Sequence, residues 1–178
     1  MLNFNTNFLM NILLSKGQLT VTIKRLAHQI LENHIELENT SLIGIQPRGV
    51  YLSDRIVEEI KKEVSPKKIQ YGKLDITFYR DDIRNELHKA NHTDILFSIE
   101  GKNVILIDDV LYTGRTIRAA LDALLDFGRP EKVELCVLID RRFNRQLPIQ
   151  PDYIGKSIDS IVSQKVKVEW DKKEVLLY

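Results

Sequence analysis

Two adjacent carboxylates and a hydroxyl-rich turn stand close together in the chain and have the chemistry to bind a phosphorylated sugar. The carboxylates are Asp108 and Asp109, and the turn Thr113-Gly114-Arg115-Thr116 follows them. Hydroxyl groups, a glycine and unpaired backbone N–H groups at a helix N-terminus form an anion site, where the helix dipole favours phosphate. Carboxylates just upstream would repel phosphate, but they suit sugar hydroxyls or a cation beside it. The spacing therefore predicts a sugar-phosphate site.

A strand and a helix must position these groups. The apolar run 104–107 predicts a strand that is buried on both faces, as in a parallel sheet, and that ends at the carboxylates. After the turn, apolar residues recur on one helical face, at Ile117, Ala120, Leu121 and Leu124. An ordinary crossing with a capped helix would need one polar residue, whereas this loop contains six. A nucleotide-triphosphate P-loop does not match, because Arg115 follows Gly114 and the loop has no upstream glycine.

The segment 104–116 resembles the phosphoribosyl pyrophosphate (PRPP) motif of type I phosphoribosyltransferases. The resemblance implies that Asp108 and Asp109 bind the ribose hydroxyls and act in catalysis, and that the turn binds the 5′-phosphate. The PRPP-binding residues that it implies here are Asp108, Asp109, Val110, Leu111, Tyr112, Thr113, Gly114, Arg115 and Thr116.

Length and charge limit the classes of protein. The 178 residues suffice for one domain with a sheet covered by helices on both faces. The 26 basic and 25 acidic residues give a formal charge of +1, so any RNA site must be a local patch. No run reaches the roughly 18 apolar residues of a membrane span. The apolar residues 8–14 lack the flanks of a signal peptide and predict a short strand or packing arm, with 1–9 as a possible N-terminal extension.

The only cysteine, Cys136, lies in an apolar run, which favours a buried and inert thiol. One cysteine cannot form a disulfide within the chain, and this fits a reducing cytoplasm. The four histidines share no metal-ligand spacing with one another or with Cys136. No nucleophile is needed if pyrophosphate is displaced, because positioning and charge stabilisation then carry the catalysis.

Strands and helices alternate along most of the chain, which predicts a single α/β domain with a mostly parallel sheet flanked by helices. We predict helices over 20–35, with Thr20 or Thr22 as N-cap, and after Gly49. The predicted strands are 41–46, 68–79, 94–99, 104–107 and 133–140. Residues 80–93 are polar and without period, which indicates a mobile loop, and the β-like runs of 141–178 predict a small C-terminal hood.

A second loop, Gln46-Pro47-Arg48-Gly49, should share the crevice, because loops at strand carboxyl ends meet there in such sheets. Arg48 is cationic and Gly49 lets the backbone approach an anion, which favours pyrophosphate binding over a simple Pro–Gly turn. We predict a cis peptide between Pro47 and Arg48, by resemblance to many type I transferases, although cis costs about 3–4 kcal/mol there. Arg80 begins the predicted mobile loop, and one interpretation is that its side chain is simply solvated. The resemblance to type I enzymes implies instead that the loop folds over PRPP and that Arg80 is a catalytic group that covers the pyrophosphate.

Further segments resemble one branch, the PyrR family, the bifunctional pyrimidine operon attenuators and uracil phosphoribosyltransferases. They are Arg25-Leu26-Ala27-His28, residues 44–52, residues 75–82, Leu147-Pro148-Ile149 and residues 152–156. The resemblance implies a type I fold and condensation of uracil with PRPP to UMP and pyrophosphate. It also implies Mg²⁺ held through PRPP without a dedicated protein cage, base binding near Ile154, and a homodimer or higher oligomer. A purine-type (hypoxanthine/guanine) transferase is the alternative within the class.

The same resemblance implies UMP-dependent binding to leader RNA of pyrimidine genes, with a non-catalytic, nucleotide-sensing RNA regulator as a further alternative. The candidate RNA-binding residues are Lys24, Arg25, His28 and Lys156. The face with Lys24, Arg25 and His28 lies opposite the apolar stripe without a packing role, and a solvated helix face would look the same. The family pattern is altered over 140–148, which is one residue longer and lacks Gly and His, and at Pro47 and Gln150. Charges at Arg141, Arg142 and Arg145 would compensate.

Overall fold

The fold is described from a computed structural model that covers residues 11–35, 37–81 and 92–178. The possible extension 1–9 and most of the predicted loop 80–93 lie outside these residues.

Strands and helices alternate from the start of the described chain. The strands are β1 (Asn11–Leu14), β2 (Thr40–Ile45), β3 (Gln70–Leu74), β4 (Asn103–Leu111), β5 (Lys132–Arg142), β6 (Tyr153–Asp159), β7 (Val166–Glu169) and β8 (Glu174–Leu177). The helices are α1 (Lys16–Asn33), α2 (Gly49–Ile60) and α3 (Arg115–Leu124). No helix within the described ranges is long and apolar enough to cross a membrane.

The central layer is a parallel sheet of five strands in the order β3-β2-β4-β5-β6. Helices α1 and α2 cover one face and α3 covers the other, and each face has its own apolar core. β4 lies in the middle, and residues 104–107 are completely buried because successive side chains point into alternate cores. The predicted α/β fold is confirmed.

Several predicted boundaries differ from the structure. Helix α1 begins after Ser15, not at Thr20 or Thr22, because the Gln18 side chain accepts the Ser15 N–H at 2.9 Å in a capping box. β3 ends at Leu74, because the Asp75 carboxylate accepts the Thr77 N–H and hydroxyl and turns the chain into a short 3-10 helix, Thr77–Tyr79.

The predicted strand 94–99 is wrong, since only Asp94 pairs with the sheet, in a single bridge to Lys73. Its apolar alternation comes from Ile95 and Phe97, which pack against the α3-side core without forming a ladder. β4 extends through the two carboxylates rather than ending at them. On α3, Leu121 is 37% exposed, because the buried face is centred on Ala120.

The C-terminal part of the chain is divided between two sheets. β6 extends the main sheet at its edge, whereas β7 and β8 form an antiparallel sheet with β1 in the order β1-β8-β7. The Lys156 ammonium on β6 donates to the Leu13 carbonyl at 2.8 Å and connects the two sheets. Trp170, after β7, stacks on Tyr51 of α2 with ring centroids 6.0 Å apart. The hood is therefore built from both ends of the described chain.

A buried polar cluster stabilises the end of the main sheet at which the strands begin. The Glu134 carboxylate accepts hydrogen bonds from the Tyr153 hydroxyl at 2.8 Å and from the Lys132 ammonium, and it lies 2.7 Å from His34 Nε2. Burial disfavours the charge of Glu134, but the Lys132, His34 and Tyr153 hydrogen bonds outweigh it and lower the pKa of the carboxyl.

Candidate active site

The turn after β4 forms the floor of a pocket at the carboxyl end of the sheet. Gly114 caps α3 with φ +93°, a left-handed conformation that favours glycine. The cavity measures about 380 Å³. Its walls consist of Arg80, Asp108, Val110, Leu111, Tyr112, Thr113, Gly114, Arg115, Thr116, Ile117 and Gln146. The structure thus brings eight of the nine predicted motif residues, together with Arg80, around a helix N-terminus that suits phosphate.

Asp108 and Asp109 form a buried acidic pair beside this pocket, each 6% exposed. The Asp108 carboxylate accepts the Asp109 N–H at 2.9 Å. Burial raises the pKa of both carboxyls, and the neighbouring charge of Asp109 raises that of Asp108 further. The positive charge of Arg48 acts in the opposite direction on both. Desolvation makes the ionised form of this pair costly, so hydrogen bonds from hydroxyl groups or a nearby cation would stabilise the two carboxylates strongly.

The Arg48–Gly49 loop lies against the acidic pair without lining the cavity. A methyl group added at Gly49 would lie 2.3 Å from the Ile107 carbonyl oxygen and 3.2 Å from Asp108 Oδ1. The glycine is therefore required for packing against β4, a reason that the sequence did not indicate.

The predicted cis bond between Pro47 and Arg48 is wrong. The cis peptide of the described chain is one residue earlier, between Gln46 and Pro47. An X–Pro bond has a trans preference of only about 0.5–1 kcal/mol, so cis is far more accessible there.

Arg80 lines the pocket, and its positive charge opposes the rise in the pKa of Asp108 that burial causes. The next residue, Asp81, accepts a hydrogen bond from Arg115 Nη1 at 3.1 Å. The Arg115 Nε donates at 2.8 Å to Gln146. The Arg115 side chain thus connects Asp81 with Gln146, which lines the pocket, and it is engaged by these partners rather than unpaired.

The sequence did not reveal that the segment 141–149, here called the strap, forms the back of the phosphate turn. Gln146 and Leu147 donate their N–H groups to the Thr113 carbonyl at 3.0 and 3.3 Å. A methyl group added at Gly114 would lie 3.2 Å from Ile149 Cδ1. The strap begins with the last two residues of β5 and continues beyond it, and the rule that loops at strand carboxyl ends share one crevice was the available signal.

Two strap arginines proposed above as RNA contacts point inward. Arg145 donates to the Tyr112 carbonyl and to the Asp140 carboxylate. The Arg141 guanidinium, 5% exposed, stacks 4.0 Å from the centroid of the Tyr112 ring. Both side chains are thus engaged in contacts within the fold, whereas Arg142 is exposed and paired with Asp159; compensation by these charges stays a prediction.

The predicted base and RNA residues lie on the edge strand and on α1. Ile154 is outside the cavity wall, in register with Val137, which in turn is in register with Asp108. Arg25 donates to the carbonyls of Ile154 and Gly155 at 3.1 and 2.6 Å. The expectation that its helix face has no packing role is therefore wrong for Arg25.

Lys24 and His28 are exposed and make no hydrogen bond or ion pair with the residues that the structure describes. Lys156, by contrast, is half-buried between β6 and β1, where it bonds to Leu13. The predicted RNA-binding set thus contains three exposed side chains, of which Arg25 also bonds to the backbone of β6, and one half-buried side chain, Lys156.

A parallel sheet whose central strand carries a buried acidic pair and leads into a helix-capping turn suited to phosphate defines a phosphoribosyltransferase. The family model "Phosphoribosyl transferase domain" matches residues 11–173. Solved structures share the fold. A hypoxanthine phosphoribosyltransferase of Trypanosoma cruzi, 18% identical, superposes with a TM-score of 0.71 over 94% of this chain and 95% of its own. A hypoxanthine-guanine phosphoribosyltransferase of Bacillus anthracis, 24% identical, reaches 0.65 over 83% and 82%.

Sequence relatives are closer. The "Bifunctional protein PyrR" of Elusimicrobium minutum is 50% identical over 155 residues, 85% of each chain. The protein of the same name from Brevibacillus brevis is 42% identical over 168 residues, 93% of each chain. The chain belongs to the PyrR family of phosphoribosyltransferases.

Proposed function

We propose that this protein is a Mg²⁺-dependent uracil phosphoribosyltransferase that converts uracil and PRPP to UMP and pyrophosphate. The observation that carries the proposal is the pocket at the end of β4, where a helix N-terminus and a buried acidic pair stand side by side. The first group suits a 5′-phosphate and the second suits a ribose diol. The names of relatives at 42–50% identity support the pyrimidine assignment.

In this proposal each group has one task. The backbone of the turn 113–116 binds the 5′-phosphate, and Asp108 and Asp109 accept hydrogen bonds from the ribose hydroxyls. Arg48 and Arg80 neutralise the pyrophosphate, which is consistent with the effect of both charges on Asp108. The bond between uracil N1 and ribose C1′ forms as the bond between C1′ and the pyrophosphate oxygen breaks, and uracil N1 gives up its proton to solvent. Catalysis thus relies on positioning and charge.

The acidic pair also fits a magnesium ion held through PRPP. Carboxylate oxygens are ligands that Mg²⁺ prefers. The described ranges contain no group of three or more side chains able to hold a metal, so substrate oxygens and water would complete the coordination. When bound, the ion would neutralise charge on the leaving pyrophosphate.

Steady-state assays with uracil, hypoxanthine, guanine and orotate test the proposal. Turnover of uracil is expected, and turnover of hypoxanthine without uracil would refute it in favour of a purine-type enzyme. Joint alanine substitution of Asp108 and Asp109 should abolish PRPP binding in calorimetry. The matched control is Asp122→Asn, an exposed carboxylate on α3 outside the pocket, which should bind PRPP normally.

The names of the relatives also support a second activity, UMP-dependent binding to leader RNA of pyrimidine genes. The specific observation is the pair Lys24 and His28, exposed on α1 next to Arg25, which contacts the backbone of Ile154. A Lys24→Ala/His28→Ala double variant should bind a pyrimidine-leader hairpin more weakly. Its affinity should also depend less on salt, because binding with fewer phosphate contacts releases fewer counterions. Equal affinity for random RNA would leave only non-specific attraction.

Three wider expectations accompany the proposal. The base would bind near Ile154 on the edge strand β6, which is separated from the acidic pair by β5. A homodimer or higher oligomer is expected, which light scattering of the purified protein would reveal. A cytoplasmic location agrees with the single, buried thiol of Cys136.

A further inference from the structure

Residues 79–81 connect the pocket to the outer surface of α3. The Tyr79 hydroxyl donates to the Asp126 carboxylate, just beyond the C-terminal end of α3. Arg80, the next residue, lines the pocket. The Tyr79 N–H donates to the Ile76 carbonyl at 3.0 Å, so the segment is a hydrogen-bonded turn up to the point where it reaches the pocket.

Asp81 provides the second attachment, on the N-terminal half of α3. Its carboxylate accepts from Arg115 Nη1 at 3.1 Å and lies 3.7 Å from Arg118 Nη2. Arg80 therefore lies between Asp81, which bonds to α3, and Tyr79, which bonds to the 3-10 turn directly after α3, the helix whose N-terminus forms the phosphate turn.

These contacts contribute little to stability. The side chains of Arg115, Arg118 and Asp81 are 43%, 45% and 33% exposed, and pairs exposed to this degree are worth roughly 0–1 kcal/mol. Asp81 is also an anion beside a phosphate pocket, where an unpaired carboxylate would oppose binding. A role in positioning explains its place better than a role in stability or in ligand binding.

We infer that Asp81 is a positioning residue whose pairing with Arg115 and Arg118 holds Arg80 over the pocket, with Tyr79 as the second anchor. The inference rests on the proposed function, in which Arg80 neutralises the departing pyrophosphate. The 79–81 segment moves as part of α3, so the phosphate turn and Arg80 keep a fixed separation. Loss of the Asp81 charge frees Arg80 without removing any atom that contacts substrate.

The kinetic test is Asp81→Asn, which removes the charge at nearly constant volume. We expect kcat to fall about tenfold, KM for PRPP to change less than twofold, and the melting temperature to stay unchanged. Arg118→Gln should also lower kcat. The double variant Asp81→Asn/Arg118→Gln should have the same kcat as Asp81→Asn alone, because both substitutions break the same ion pair. Asp122→Asn is the control: it removes the other carboxylate near Arg118, at 3.8 Å, and should leave kcat unchanged.

Hydrogen exchange provides a readout that does not depend on turnover. In Asp81→Asn the Tyr79 amide should exchange about fivefold faster than in the wild type, after correction for intrinsic rates, because the turn has lost one anchor. Asp122→Asn should match the wild type. Unchanged exchange at Tyr79 in Asp81→Asn, or equal losses of kcat in Asp81→Asn and Asp122→Asn, would overturn the inference. An absence of uracil turnover in the wild type would instead refute the proposed function, while the exchange experiment would still decide the role of Asp81.

Discussion

The close approach of Gly49 to β4 makes Gly49→Ala a sensitive test of how the two loops of the pocket are positioned. The added methyl group would lie 2.3 Å from the Ile107 carbonyl oxygen and 3.0 Å from the Asp108 Cα, both backbone atoms that cannot rotate away. Contact distances are normally about 3.5 Å, so the Arg48–Gly49 loop must retreat by about 1 Å. Overpacking of this kind costs about 1–3 kcal/mol.

Two consequences are expected. The melting temperature should fall by about 2–4 °C for each kcal/mol lost in a chain of this size. Turnover should fall by about 100-fold, because a displacement of about 1 Å at a reacting site can cost that much. Differential scanning fluorimetry and a pyrophosphate-release assay measure the two effects.

Gly17→Ala is the matched control, since a methyl group there meets nothing within 4 Å. It lies in the first turn of α1, where alanine should add about 0.5–1 kcal/mol of stability and leave turnover unchanged. If Gly49→Ala melted and turned over like the wild type, the argument that this glycine sets the spacing of the loops would be wrong.

Three further predictions concern buried titratable groups. Asp108→Asn should raise the melting temperature while abolishing PRPP binding. Because burial raises the pKa of Asp108, the wild type loses stability as pH rises above the ordinary carboxyl range. The gain of the variant in thermal melts should therefore grow with pH, and a gain independent of pH would contradict the placement of Asp108. Glu134→Gln should change stability in the opposite direction. The lowered pKa of Glu134 means that the ionised carboxylate stabilises the fold above the ordinary carboxyl range, and this stability is lost as pH falls. Urea titrations should therefore show that the variant loses about 1–3 kcal/mol of unfolding free energy near pH 7, and that this loss shrinks on acidification. Cys136, fully buried with a raised pKa, should react with a thiol reagent only after unfolding, and rapid labelling of the native protein would contradict its placement.

Local patterns in the sequence predicted the elements that carry the site. The apolar run 104–107 and the spacing of Leu52, Ile56, Val57 and Ile60 correspond to fully or almost fully buried positions. The strand buries both of its faces and the helix buries one, and each arrangement produces its own spacing of apolar residues. This spacing is set by residues close together in the chain, so it can be read from the sequence. The boundaries of α1 and β3 were missed for an equally local reason, since Gln18 and Asp75 act through side-chain bonds to the backbone that compete with hydrophobic periodicity.

The side-chain contacts of the strap with the turn 113–116 could not be read from the sequence, although the topology rule placed the two loops near each other. Arg145 reaches Tyr112 and Gln146 reaches Arg115, contacts between residues 33 and 31 positions apart. A run of arginines carries no information about whether it faces solvent or the interior, because the path of the backbone decides this. The positions of Asp108 and of the phosphate turn were predictable because they lie on one continuous strand–turn–helix unit.

The pairing of β1 with β8 has a consequence for how the protein forms during synthesis. Leu14 faces Val175 across this ladder, roughly 160 residues later in the chain, and closing such a loop carries a high entropic cost. During synthesis β1 must therefore wait for β8, while the five-stranded sheet can assemble before these two strands pair. A chain truncated before β8 should expose the apolar surface of Leu14 and be cleaved more readily by proteases, so that the synthesis of β8, rather than formation of the pocket, completes the packing around β1.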